Sequence, residues 1–152
     1  MFAALYDWLL FLHILAAMLW LGGIVVIGAF AFRILHTRQP GATAAFLGNL
    51  RVIGPLVLAP APAILLAMGI WMVADRWEFD ETWVSLGFGL FLVAFLIGAA
   101  HQSRAAIAAE KASKAGDDAA ALHHLRHWAY GMAVILVLLV VATWDMVFKP
   151  GL

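Results

Sequence analysis

The sequence of 152 residues contains no cysteine, which excludes disulfide bonds, thiolate metal sites and iron–sulfur ligation. Charged residues are scarce, at 12% of the chain, whereas about 25% is usual in a soluble domain. The net charge is zero, so nothing favours a nucleic-acid partner. There is also no Walker loop, HExxH helix, Gly-x-Ser-x-Gly elbow or dinucleotide fingerprint. The common soluble catalytic classes therefore have no support in this sequence.

Apolar residues make up 66% of the chain and are concentrated in four long runs. Because a bilayer core of about 30 Å needs about 20 apolar residues in a helix, each run is long enough to span it. We therefore predict an all-α polytopic membrane protein, a four-transmembrane-helix bundle forming one domain over 1–152. The amino terminus has neither a basic n-region nor an Ala-x-Ala pattern, so we expect no removable signal peptide. The predicted spans are about 5–32, 52–74, 84–103 and 128–148.

The basic residues are distributed unevenly between the two sides of this topology. The connections between spans one and two and between spans three and four carry seven of the nine, and the other side carries two. The positive-inside rule then places both termini on the periplasmic side of a bacterial cytoplasmic membrane. Aromatic residues mark the predicted outer boundary: Tyr6, Trp8, Trp77, Trp83 and Trp144.

Two local patterns refine the spans. Residues 103–115 are rich in Ala, Glu and Lys, and Gly116 and Asp117 supply a helix stop followed by an N-cap. Spans three and four should therefore continue into the cytoplasm as a helical hairpin. In span two, Pro60 and Pro62 lie too deep to be a helix start, so we predict a kink or a local opening of the helix.

Every acidic residue falls at a predicted span boundary. This placement argues against a proton- or cation-coupled transporter built on intramembrane carboxylates. The remaining classes of function are redox or haem chemistry, transport of a small neutral or metal species, and the role of an accessory subunit.

His13 is the main candidate functional residue, because an imidazole inside a span is costly enough to indicate function by default. It lies nine residues from the outer boundary, or about 13 Å deep. Trp20 is seven residues further on and so shares its helix face, together with Tyr6 and Ile27. The stripe fits a cofactor pocket with His13 and Trp20 in its wall. It fits equally a packed helix interface, in which His13 hydrogen-bonds a neighbouring helix.

Depth also bears on which residue could share a metal with His13. His101 lies about 27 Å from the outer boundary, too far from His13 for both to ligate one haem iron. Met68 on span two lies near the level of His13, which allows a His/Met pair of the cytochrome type. Methionine is also a common core filler, so Met68 has an ordinary packing interpretation too.

Further histidines lie at the opposite, cytoplasmic level. His101 is either a second site within the bundle or a hydrated interfacial residue. His123 and His127 form an i, i+4 pair that can chelate copper or zinc from one helix face, with His124 beside them. The alternative is a solvated basic face, since Glu110 across the hairpin is the one obvious further ligand.

The run Leu12-His13, Trp20 and Gly22-Gly23 resembles the first span of copper-resistance-D-like membrane proteins. The prolines of span two, residues 67–71 and Trp83 resemble an uncharacterised family of small four-span bacterial integral membrane proteins along nearly the whole chain. More remotely, the outline is similar to HemJ-type protoporphyrinogen oxidases. That resemblance implies haem b on His13 and places a late third-span histidine at His101. The lysine that follows the third-span tryptophan in those proteins is absent after Trp83, which leaves protoporphyrinogen oxidation unsupported.

These observations favour a membrane protein that binds a b-type haem through His13, with Trp20 and Met68 beside it and a role in electron transfer or haem-linked redox chemistry. One alternative is a cofactor-free accessory or assembly subunit of a membrane complex. Another is a copper-handling protein that uses His101, Met68, His123 and His127. Besides the lipid bilayer, the candidate partner is a second copy in a homodimer or a larger membrane complex. The glycine-rich faces on spans one and three suit a dimer as well as a contact within one chain.

Overall fold

A computed structural model describes residues 2–39 and 41–151, and the described chain is helical throughout, without strands. Six α-helices and two π-helical segments follow one another with short connections. The α-helices are α1 (Phe2–Thr37), α2 (Ala42–Ile53), α3 (Pro60–Arg76), α4 (Thr82–Leu96), α5 (Ser103–Lys114) and α6 (Asp118–Phe148). The π-helical segments are Gly54–Leu58, which joins α2 to α3, and Ile97–Gln102, which joins α4 to α5.

These elements form four rods long and apolar enough to cross a membrane: Ala4–Thr37, Ala42–Arg76, Thr82–Lys114 and Asp118–Phe148. The predicted all-α four-helix bundle is confirmed. Each rod exceeds its predicted span, and in rods three and four most of the excess is the predicted helical hairpin. The extension that was not predicted is α2, which occupies part of the predicted connection between spans one and two. We call the end of the bundle where α1 begins and α6 ends the terminal end, and the end with the last turn of α1 and the 115–117 turn the loop end.

The core runs along the middle of the bundle. Helix α1 packs most extensively on α3 and also on α6, while α4 and α5 both pack on α6. The largest buried cluster follows helical spacing on α1 and α6. It contains Ala16, Trp20, Ile24, Ile27, Ala31, Ala61, Leu65, Ala94, Ala105, Leu125, Trp128, Met132, Ile135 and Leu139.

Most of each rod faces outward with apolar side chains. Only 22–28% of the most apolar window of each rod is buried inside the bundle. Exposed side chains at mid-rod include Leu19, Val93 and Val137. Such a surface suits hydrocarbon, because a helix satisfies its own backbone hydrogen bonds and can present apolar side chains to lipid.

The predicted opening of span two is a π-helical turn. Pro60 has no backbone N–H, so the carbonyl four residues earlier loses its usual donor. The chain responds at Gly54–Leu58, where the amide of Ala59 donates to the carbonyl of Gly54, five residues back, at 2.9 Å. The helix axis thus continues through the prolines, and Leu58 packs against Gly23 of α1.

The predicted helical hairpin between spans three and four is confirmed at the loop end. Helix α5 ends at Lys114, and Gly116 adopts a positive φ of 76°, a conformation that glycine tolerates without strain. The Asp117 carboxylate then accepts a hydrogen bond from the amide of Ala120 at 2.9 Å, which caps α6.

A second π-helical segment, Ile97–Gln102, contains no proline and was not predicted. It presents His101 and Gln102 to α6, where His101 Nε2 donates to the carbonyl of His127 at 3.2 Å. Gly131 makes this approach possible, since a Cβ there would lie 2.8 Å from His101 Cδ2 and 2.9 Å from Gln102 Oε1. The Gln102 amide is buried and has no hydrogen-bond partner among the described residues.

Candidate functional site

A cavity of about 480 Å³ lies between α1, α3, α4 and α6 in the half of the bundle nearer the terminal end. This volume falls within the range of small-molecule and cofactor sites. The lining is mainly aliphatic and aromatic, as such sites usually are. Among the polar residues on its wall are Tyr6, His13, Thr143 and Lys149.

His13 is held in one orientation on this wall. Its Nδ1 lies 3.0 Å from the carbonyl oxygen of Leu65 on α3. A carbonyl oxygen can only accept, so Nδ1 carries the proton in this contact and the neutral ring keeps its lone pair on Nε2. The nitrogen left for a ligand in the cavity is therefore Nε2.

Gly69 makes room for this ring. A Cβ at position 69 would lie 3.2 Å from His13 Cε1, tighter than ordinary van der Waals contact, and 3.5 Å from Nδ1. Position 69 is one turn beyond Leu65, so both the hydrogen-bond acceptor and the open space come from the same face of α3. A larger side chain at this position would compete with the imidazole.

Trp20 closes the deep end of the cavity. It lies two turns below His13 on α1, about 10 Å further along the axis, and is 5% exposed. Its ring packs edge-to-face on Phe91 of α4, with centroids 5.7 Å apart. The predicted stripe of Tyr6, His13 and Trp20 does line one cavity. Ile27 belongs to the core below it.

Lys149 and three aromatic residues, Tyr6, Trp77 and Trp83, line the cavity at its terminal end, which we call the mouth. Lys149 Nζ lies 3.9 Å from the ring centroid of Trp77 and 5.0 Å from that of Trp83. The Arg76 guanidinium does not line the cavity but lies 3.8 Å from the ring centroid of Tyr6, whose hydroxyl accepts from Trp77 Nε1 at 3.4 Å. Cation–π contacts thus hold both charges against aromatic residues of the cavity wall.

Asp145 lies at the end of its rod, in the last turn of α6, but its side chain is unexpectedly buried. It is 0% exposed, with neither carboxylate oxygen hydrogen-bonded to the described residues. Gly87 of α4 leaves the space for it, since a Cβ there would lie 3.1 Å from Asp145 Oδ2. An unpartnered buried carboxyl is costly, so this residue is a candidate in its own right.

The remaining predicted site residues lie apart from His13. Met68 is partly buried but does not line the cavity, whereas Met72, one turn further on, and Met146 of α6 do. His101 lies outside the cavity, beyond the level of Trp20, bonded to the carbonyl of His127.

The loop-end histidines form a cluster of their own on α6. The Nε2 atoms of His123 and His127 are 3.2 Å apart, and the ring of His124 packs edge-on to that of His123. Glu110, the third ligand considered from sequence, is engaged elsewhere. Its carboxylate pairs with Lys114 Nζ at 2.6 Å and with Arg51 at 3.7 Å. Within residues 2–39 and 41–151, no three or more His, Asp or Glu side chains converge as a metal cluster.

Sequence reasoning missed Leu65, Gly69 and Asp145. Leu65 acts through its backbone carbonyl, and Gly69 acts by having no side chain, so neither residue could be recognised from its chemistry in the sequence. The burial of Asp145 could have been recognised. The buried positions Met132, Ile135 and Leu139 follow helical spacing, and two further steps of three residues from Leu139 reach position 145.

The family described as predicted integral membrane protein (DUF2269) matches residues 7–150. The chain belongs to this family. The expectation of an uncharacterised membrane family is thereby confirmed. No curated protein and no solved structure matches the chain significantly. The resemblances to copper-resistance-D-like and HemJ-type proteins have no counterpart among these findings.

Proposed function

We propose that this protein binds a b-type haem in the terminal-end cavity, with Nε2 of His13 as an iron ligand, and serves electron transfer or haem-linked redox chemistry. The observation that carries the proposal is the hydrogen bond from His13 Nδ1 to the carbonyl of Leu65. Metal-ligating histidines almost always donate their other ring nitrogen in this way, which fixes the tautomer and raises the basicity of the ligating nitrogen.

The cavity also suits both the apolar ring and the charged propionates of a haem. Its depth is apolar and aromatic, as a porphyrin ring requires, and Lys149 lies on its wall at the mouth. Haem b carries two propionates on one edge, and cations at the mouth would receive them. Tyr6 is seven residues from His13, so the cationic mouth and the ligating nitrogen are separated by about 10 Å along α1.

Each residue has a distinct part in this proposal. His13 would supply a nitrogen ligand, Trp20 would close the site from below, and Lys149 would receive the carboxylates. Arg76, which lies over Tyr6 and pairs with Asp75 at 3.5 Å, would add positive charge nearby. Met18, Met72 and Met146 line the cavity and bring thioethers that would suit a His/Met pair. When bound, the haem supplies a one-electron couple, and the protein supplies orientation and a dry, apolar surrounding. The resemblance to HemJ-type proteins supports His13 as the ligand.

For the membrane, we propose a bacterial cytoplasmic membrane with the terminal end on the periplasmic side. The loop end carries Arg33, Arg38, Arg51, Arg104, Lys111, Lys114 and Arg126, which supports this orientation through the positive-inside rule. The haem site then lies in the outer half of the bilayer.

The contact that favours haem also favours a second candidate, a cofactor-free accessory subunit. In that role the His13–Leu65 hydrogen bond simply joins α1 to α3. A stoichiometric protein partner, with neither pigment nor metal, would support this alternative.

Pigment analysis of the detergent-purified protein tests the proposal. We expect the wild type to show the Soret and α bands of a b-type haem in reduced-minus-oxidised spectra. His13→Ala should lose them, because Nε2 is the proposed ligand, while His101→Ala keeps them as a matched histidine control at the loop end. Absence of pigment from the wild type, or an unchanged spectrum in His13→Ala, would refute haem binding at His13. Copper found by elemental analysis of a pigment-free protein would support copper handling instead.

A further inference from the structure

The pair His123 and His127 is a second candidate site, distant from the haem cavity. Both side chains are exposed on the first part of α6 at the loop end. Their Nε2 atoms lie 3.2 Å apart and their ring centroids 4.6 Å apart. Two imidazoles this close share a single proton, with one Nε2 donating and the other accepting.

The same separation is what two ligands on one metal ion require. With metal–nitrogen bonds of about 2.0–2.1 Å, nitrogens 3.2 Å apart subtend an angle of about 100° at the metal. This angle lies between the right angle of octahedral or square-planar ions and the tetrahedral angle. Because both rings are exposed, they have room to turn until both lone pairs point at one ion.

The surroundings define the kind of site. With no cysteine in the chain, the ligands are neutral imidazoles, which suit Cu²⁺, Ni²⁺ and Zn²⁺. Among the residues that the structure describes, no third His, Asp or Glu converges on the pair, and Glu110 is paired with Lys114 and Arg51. The remaining coordination positions are therefore open to water. Neighbouring Arg126 adds positive charge on the same helix, which weakens the binding of every cation. Only an ion with high affinity for imidazole is therefore retained.

We propose that His123 and His127 form a surface site for one divalent transition-metal ion, bound through both Nε2 atoms with water completing the coordination. Cu²⁺ binds most tightly, because affinity for nitrogen ligands rises to copper along the first-row series. The ion replaces the shared proton of the pair and links the second and third turns of α6. The site needs neither His13 nor haem.

Equilibrium dialysis of CuCl₂ and ZnCl₂ against the detergent-purified, tag-free protein tests this site. We expect one Cu²⁺ per chain, bound more tightly than Zn²⁺. His123→Ala and His127→Ala should each weaken binding at least about tenfold, since even an outer-shell partner is worth about 10–100-fold. His124→Ala is the matched control and should keep the wild-type affinity, as should His13→Ala.

Three results would overturn the proposal: no stoichiometric copper in the wild type, unchanged affinity in His123→Ala, or equal loss in His124→Ala. The last would show diffuse binding to a basic, histidine-rich surface. If either alanine variant proves unstable, the conservative His123→Gln and His127→Gln take its place. Both positions are exposed, so the bundle should be unaffected, and an unchanged elution volume in size-exclusion chromatography checks this.

Discussion

Asp145→Asn is expected to stabilise the protein, raising the free energy of unfolding by about 1–3 kcal/mol. The carboxyl is 0% exposed and neither oxygen has a hydrogen-bond partner in the described chain. Burying a potentially charged group without a partner costs more than burying a neutral amide of the same size. Asparagine keeps the shape that fits beside Gly87, so the change removes the electrostatic cost without opening a hole. Thermal unfolding in detergent, followed by circular dichroism, measures the difference.

Asp7→Asn is the matched control for this experiment. Asp7 is exposed on the first part of α1, so removing its charge should change stability by less than about 0.5 kcal/mol. A clear loss of stability in Asp145→Asn would contradict the prediction. It would mean that the native carboxylate is compensated, and a bound cation or ligand would then have to be sought beside Gly87.

Gly69→Leu is expected to abolish haem binding without touching the proposed ligand. A Cβ added at this position would lie 3.2 Å from the His13 ring, and the rest of a leucine side chain would occupy the space of the imidazole. The ring would be displaced from the Leu65 carbonyl, so Nε2 would lose its fixed position. The haem content of the purified variant, measured as pyridine haemochrome, checks this.

Gly89→Leu provides the comparison. Gly89 lies on an exposed face of α4, and a Cβ there would meet nothing within 4 Å. It should therefore keep the wild-type haem content. Overpacking at position 69 costs about 1–3 kcal/mol, so a folded but pigment-free Gly69→Leu is the expected outcome. Wild-type haem content in this variant would show that the ring at position 13 does not hold the haem.

The fold could be predicted from sequence where the signals are local. Hydropathy defines the four rods, Gly116 and Asp117 define the hairpin turn, and Pro60 predicts the opening in span two. The segment Ile97–Gln102 has no such marker, because packing against Gly131 rather than a proline accompanies its π-helical turn. Helix α2 was not predicted, because its mixture of apolar and polar residues is also typical of a connection between spans when tertiary contacts are unknown.

The site could be predicted only in part, for a related reason. Helical spacing places Tyr6, His13 and Trp20 on one face, and that face does line the cavity. The orientation of the imidazole depends on a backbone carbonyl of α3, which any residue at position 65 would supply. The depth count on span two reached Met68, but Gly69 is the residue that faces His13.

In the proposed function, the His13 imidazole acts as a haem ligand and not only as a link between α1 and α3. The most direct measurement is chemical rescue of His13→Gly, which leaves a space for free imidazole in the wall of the cavity. Haem is added to the purified variant with and without imidazole, and the Soret band is recorded. We predict that His13→Gly binds no b-type haem alone and regains a wild-type-like spectrum with imidazole. A full haem spectrum without imidazole, or no recovery in a folded variant with it, would show that His13 is not the haem ligand.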